Sequence, residues 1–216
     1  MLSIDRKVIE ENTKLVRCNL MYPVIKEQDR LDNLTQLINK IIYEDIIAFK
    51  DVVIQELDNS ELNITDYVLH AITEYRISFN KNDIISIPIE FSQLIGLYDI
   101  TYVNSYNFDL NLGKSLTLDD IFDKKSEYIT KINKELSVRY DYMMSKYTEY
   151  YDQVSKEKFR FINHDQSFYI ENDGIVICFS SYEMSKSISY LTEFKLLFSE
   201  FEGYLSQYTI NNIFIR

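Results

Sequence analysis

The 216-residue chain carries 34 acidic and 23 basic side chains, a formal net charge of -11, with 46% hydrophobic residues. That surplus of negative charge repels phosphate backbones and anionic lipid, so nucleic acid and membrane surfaces are excluded as expected partners. Four glycines and two prolines are too few for long linkers or disorder. No run approaches the ~18 apolar residues a spanning helix needs, so no membrane insertion is expected. The aromatic set is skewed to 18 Tyr and 13 Phe with no Trp, which favours half-buried sheet surfaces.

Val8 to Ile25 alternates loosely, with Val16, Cys18, Leu20 and Tyr22 on one parity, and predicts a strand closing at Tyr22-Pro23. Asp29 to Leu57 predicts a long helix with Asp29 as its N-cap. Its apolar stripe includes Leu31, Leu34, Ile38, Ile42, Ile46, Phe49 and Val53. Tyr67 to Phe79, the turn Asn80-Lys81-Asn82-Asp83 and Ile85 to Phe91 read as a hairpin. Tyr98 to Leu110 follows as a third strand of an antiparallel meander, closed by a turn at Gly113.

Thr117 and Asp120 have the spacing of a capping box ahead of a short helical turn. A second long helix is predicted over Ser126 to Val154. Phe168 to Ile170 and Ile175 to Phe179 flank Asn172-Asp173-Gly174, a hairpin signal. A strand over Leu191 to Phe198 and a short helix over Ser199 to Leu205 end the chain. Helices and strands are segregated, which predicts an α+β fold with mostly antiparallel sheet, and the helix-plus-meander unit occurs twice.

Few residues suggest chemistry. His70 lies opposite the apolar parity of its strand and is expected to face solvent. His164 sits beside Asp165 in a polar loop, one imidazole and one carboxylate, short of the three protein ligands of a catalytic zinc site. Asp119, Asp120 and Asp123 cluster at a helix start, where the helix dipole favours anions. Phosphate-cradling glycine motifs and nucleophile elbows are missing. Cys18 and Cys178 form no CxxC motif. They are expected as buried thiols, or as one bridge if their strands are neighbours. The run Tyr140, Tyr142, Tyr147, Tyr150, Tyr151 cannot share one helix face, so some rings are expected at the surface. No enzyme, metal or cofactor is expected on these grounds.

The stretch from Tyr106-Asn107-Phe108-Asp109-Leu110 through Gly113-Lys114 to Leu116-Thr117-Leu118-Asp119-Asp120-Ile121-Phe122 resembles the YNFDL signature of the RsiV/PdaC-like domain family. Phe168-Tyr169-Ile170, Gly174-Ile175-Val176, Phe179, Tyr182-Glu183 and Glu193-Phe194 are similar to its second block, and Tyr22-Pro23 with Ile38-Asn39 to its first. The resemblance implies two subdomains packed as one unit, here placed at 1–63 and 64–216. It also implies a binding role in the cell envelope of Gram-positive bacteria, with lysozyme as ligand in one branch. In another branch the domain precedes a separate deacetylase domain that holds the catalysis, which this chain does not contain. The chain departs from the family at Ile95-Gly96-Leu97-Tyr98-Asp99, with Tyr98 where a histidine is usual, and at Ser185-Lys186 and Ser189-Tyr190.

The expected function is therefore a non-enzymatic binding domain whose partner is a basic protein such as lysozyme. A cytoplasmic structural or sporulation-related protein reusing the fold is the alternative, and a cell-wall polysaccharide enzyme a weaker one. The start, Met1 to Lys7, lacks the apolar core of a signal peptide. A native start at Met1 implies the cytoplasm, and a replaced export segment implies the envelope. The expected partner-binding residues are Tyr98, Asp99, Tyr182, Glu183 and Tyr190. Tyr106, Asn107, Phe108, Asp109 and Gly113 are expected to shape a strand-to-turn corner rather than touch a ligand.

Overall fold

The computed structural model describes residues 1–26, 32–59, 68–95, 98–147, 159–184 and 188–214. It is α+β with mostly antiparallel sheet, in two compact units, Met1–Ser115 and Leu116–Arg216.

In the first unit, β1 (Ile4–Asn12) and β2 (Val16–Ile25) form an antiparallel hairpin. One strand was expected here. The break falls at Thr13, whose hydroxyl accepts the N–H groups of Leu15 and Val16 and turns the chain without glycine. β2 runs on through Pro23. This proline lies beyond the Val16–Leu20 stretch that pairs with the next strand, so its missing N–H is tolerated.

The helix α1 (Asp32–Asn59) follows, and the expected cap at Asp29 lies outside the described residues. α1 leads to β3 (Leu69–Tyr75), which pairs parallel with β2. That pairing places the N-terminal strands and the meander in one sheet, so the units divide after Ser115 rather than after residue 63. β4 (Phe79–Lys81) and β5 (Ile84–Ile95) turn at Asn82 and Asp83. Both have positive φ, as a two-residue primed hairpin turn demands. β6 (Tyr98–Asp109) and β7 (Lys114–Ser115) complete a seven-stranded sheet.

Ile38, Ile42, Ile46, Phe49 and Val53 of α1 pack on Cys18, Leu20, Ile87, Ile89 and Phe91 of the sheet. Each such side chain contributes about 1.5–3 kcal/mol by leaving water. Asn39 fastens the helix to the sheet: its carbonyl accepts the Ile25 N–H at 2.8 Å and its amide donates to the Ile25 carbonyl at 2.8 Å.

In the second unit, α2 (Leu118–Ile121) starts at Thr117, whose N–H and hydroxyl both donate to the Asp120 carboxylate. The helix α3 (Tyr128–Tyr147) buries Tyr128, Ile132, Leu136, Tyr140 and Met144. β8 (Phe168–Ile170), β9 (Gly174–Phe179) and β10 (Thr192–Leu197) form a three-stranded antiparallel sheet in the order β10-β9-β8. Gly174 is required by close approach: a Cβ there would sit 2.2 Å from the Leu196 carbonyl oxygen. A 3-10 segment (Phe198–Tyr204) and α4 (Gln207–Asn212) follow, and α4 was not expected. α4 is short, and it is fixed by Ser206 capping the Thr209 N–H and by the buried Thr209 hydroxyl donating to the Ile121 carbonyl.

Cys18 and Cys178 are free, buried thiols in different units. Burial pushes the Cys18 thiol up. Among the described residues, no helix is long and apolar enough to cross a membrane.

Candidate functional site

The YNFDL corner is occupied internally. The Tyr106 hydroxyl donates to Asp45 on α1 at 2.7 Å. Asn107 is buried and accepts the Ser86 hydroxyl at 2.6 Å. The buried Asp109 accepts the Leu112 N–H at 2.9 Å, closing the turn that Gly113 completes at φ +66°. Phe108 packs against the core of the first unit. Asp99 is exposed, and its carboxylate accepts the Thr101 hydroxyl at 2.8 Å. The side chain of Tyr98 lies outside the described residues, as do residues 96, 97, 150, 151 and 185–187. Of the remaining tyrosine run, Tyr140 is buried and Tyr142 is exposed under the Lys146 ammonium at 4.4 Å.

The second unit assembles a more open polar network around the loop Asn163–Gln166. Tyr128 is buried on α3, and its hydroxyl donates to Asp119 Oδ1 at 2.5 Å. His164 Nδ1 lies 2.8 Å from the same Oδ1 and 2.8 Å from the Tyr128 hydroxyl. With the phenol proton spent on Asp119, Nδ1 must carry the imidazole proton. Among the described residues Nε2 makes no hydrogen bond, on a side chain that is 61% exposed. Lys124 approaches the other oxygen of Asp119 at 3.6 Å. The hydrogen bonds from Tyr128, then His164, hold the Asp119 carboxyl below the usual carboxylate range. Burial, then the bond to Asp119, pushes the Tyr128 phenol well above its ordinary range. The partner of His164 is thus Asp119, 45 residues away, rather than the adjacent Asp165.

Two residues further along the same loop, Gln166 donates to the Cys178 carbonyl at 2.7 Å and to Glu183 at 3.1 Å. The other oxygen of Glu183 accepts the Ser180 N–H at 2.7 Å. Both carboxylate oxygens of Glu183 are therefore spent on shaping the loop after β9. That loop holds Tyr182 at φ +62°, a left-handed conformation costing a non-glycine residue roughly 1–2 kcal/mol. The Tyr182 N–H donates to the Ile188 carbonyl at 2.7 Å, and Ile188 itself is buried. Tyr182 as a residue remains 47% exposed, and Tyr190 41%.

Tyr182, Glu183 and Tyr190 therefore share one loop of the second unit, while Tyr98 and Asp99 belong to the first. The residue missed by sequence reasoning is Gln166, which ties the His164 loop to the Tyr182 loop. A signal was present: a polar four-residue insert, Asn163 to Gln166, directly ahead of an all-buried strand. Among the described residues, no group of three or more His, Cys, Asp or Glu side chains is placed to hold a metal ion.

A comparison with curated proteins gives no match. Two solved structures share the fold. One is a member of the DUF3298 family from Bacteroides fragilis NCTC 9343, 16% identical with a TM-score of 0.62, covering 98% of this chain and 97% of that one. The other is a DUF3298 family protein from Pseudomonas aeruginosa PAO1, 14% identical with a TM-score of 0.64, covering 100% and 98%. The family model described as protein of unknown function (DUF3298) matches residues 119–191, a stretch that runs from Asp119 through Tyr128 and His164 to Tyr190.

Proposed function

We propose that the chain is a non-enzymatic binding module of the RsiV/PdaC-like type, which recognises a basic protein through the exposed Tyr182 and Tyr190 side chains. Lysozyme is the partner that the resemblance suggests. The carrying observation is Tyr182: a large aromatic held at positive φ in a loop that Glu183 and Gln166 hydrogen-bond, and about half exposed as a residue. A left-handed backbone costs a tyrosine stability, and interfaces use rigid aromatic anchors with wet hydroxyls. The net charge of -11 supports a basic partner, since complementary charge speeds encounter. On this reading Glu183 positions the loop and does not touch the partner.

Calorimetric titration of hen-type lysozyme into the full chain tests the proposal. Binding is expected at low salt, with association slowing as the screening length falls to about 8 Å at physiological ionic strength. Tyr182→Ala and Tyr190→Ala are each expected to weaken binding at least tenfold, about 1.4 kcal/mol. Absence of heat for the parent chain would remove lysozyme. Binding unchanged in both variants would remove the loop.

A further inference from the structure

The first unit presents a concave polar site on the sheet face opposite α1. Asn12, Arg17 and His70 are directly paired across β1, β2 and β3, and Glu10, Asn19 and Ile72 form the adjacent row. Together with Cys18 they line a depression of about 330 Å³. This lies at the small end of ligand-site volumes, which start near 300 Å³.

The polar groups here are unspent. Among the described residues, the side chains of Glu10, Asn12, Asn19 and His70 make no hydrogen bond or ion pair with the protein. One arm of the Arg17 guanidinium donates to the Thr13 carbonyl at 3.2 Å, which tethers it at the hairpin and leaves its remaining N–H groups available. Glu10 lines the same depression yet makes no ion pair with Arg17. Among the described residues, neither the Arg17 guanidinium nor the His70 imidazole has a carboxylate partner, although they are register neighbours on β2 and β3. The contrast with Asp119, Tyr128 and His164 is direct, because those polar atoms satisfy one another.

We propose that this depression binds a small hydroxylated anion, a carboxylate or phosphate carried on a polyol such as a sugar acid or sugar phosphate. The planar fork of Arg17 matches a carboxylate or phosphate edge, and His70 beside it supplies a further donor. Asn12 and Asn19 each offer a donor and an acceptor, the pairing that hydroxyl groups need, and Glu10 accepts from a hydroxyl. Ile72 supplies an apolar patch for the ring or chain. The site is independent of the Tyr182 loop, which lies in the other unit.

NMR titration of the isotope-labelled full chain in phosphate-free buffer tests it, with galacturonate, glucose 6-phosphate and glucose as probes. At least one of the two anions is expected to shift the His70 ring and the Asn12 and Asn19 side-chain amides saturably, with a Kd near 1 mM, about what a shallow, wet site yields. Whichever anion binds more tightly identifies the charged group. Glucose is expected to leave these signals in place. Arg17→Ala should raise the Kd at least tenfold and His70→Gln a few-fold. Both side chains are exposed, so an unchanged spectrum elsewhere confirms folding. No saturable shift with either anion at about 20 mM, an equal response to glucose, or an unaltered Kd in Arg17→Ala would overturn the proposal.

Discussion

Two helices, one in each unit, carry the same three residues and the same device. Ile38-Asn39-Lys40 lies on α1 and Ile132-Asn133-Lys134 on α3. Each isoleucine is fully buried, and each asparagine grips one isoleucine backbone with both ends of its amide. Asn39 grips Ile25 at the end of β2, and Asn133 grips Ile162 at 2.8 and 3.1 Å. Each unit also buries one tyrosine whose hydroxyl donates to an aspartate, Tyr106 to Asp45 and Tyr128 to Asp119.

The two units differ in where the aspartate leads. The bond from Tyr106 to Asp45 ties a strand to a helix at the edge of the core. Asp119 goes on to meet His164, and the loop beyond His164 reaches Gln166, Glu183 and the Tyr182 turn. A polar pair that only fastens can be replaced by its structural equivalent. One that continues to the surface also sets the position of an exposed side chain, here His164.

The largest expected effect concerns the clamps. Asn39→Ala and Asn133→Ala each strand a backbone N–H and a carbonyl, and should cost about 2–4 kcal/mol in urea unfolding. Asn39→Ala should cost more, since its second bond is shorter and Ile25 is the more deeply buried of the two residues. Equal, negligible losses would show that packing alone seats both helices.

Next come the phenols. Tyr106→Phe and Tyr128→Phe should each lose about 1–3 kcal/mol, the worth of a hydrogen bond to a charged group. Only Tyr128→Phe should also alter the His164 ring signals, because only that phenol orients an imidazole. Burial pushes both phenols upward, so each contributes stability that is complete below pH 10.0 and lost as pH rises through the folded value. Each Phe variant should flatten that alkaline loss.

A smaller effect separates the units in acid. The Asp119 carboxyl is held below its ordinary 3.8, so its contribution is present above that pH and is lost as pH falls through the folded value. The stability gap between the parent and Asp119→Asn should be constant above about pH 5 and shrink below it. A gap that widens in acid would contradict the hydrogen-bonding pattern at Asp119.

Local features were legible in the sequence, and long-range ones were not. The apolar stripe of α1, the Asn82-Asp83 turn, the Thr117–Asp120 cap and the Asp109 corner all depend on residues within a few positions of one another. β1 was hidden because it is an edge strand exposed along most of its length, with Asp5, Arg6, Lys7, Glu10 and Glu11 blunting alternation as edges require. The Asp119–Tyr128–His164 cluster was hidden because its members lie nine and 45 residues from Asp119. Asp119 then read as a helix-dipole carboxylate, and His164 as a loop residue beside Asp165. Glu183 read as a contact because nothing in sequence places Ser180 and Gln166 on its two oxygens.

The most direct test separates what Tyr182 does for folding from the recognition role proposed for it. Tyr182→Asn keeps a residue that tolerates positive φ while removing the ring. Its unfolding free energy and its affinity for lysozyme, the proposed partner, should be measured on the same preparation. The expected result is a stability within about 1 kcal/mol of the parent and at least a tenfold loss of affinity. A variant that binds normally but loses several kcal/mol of stability would make the tyrosine a packing residue, and the loop would no longer be a recognition surface.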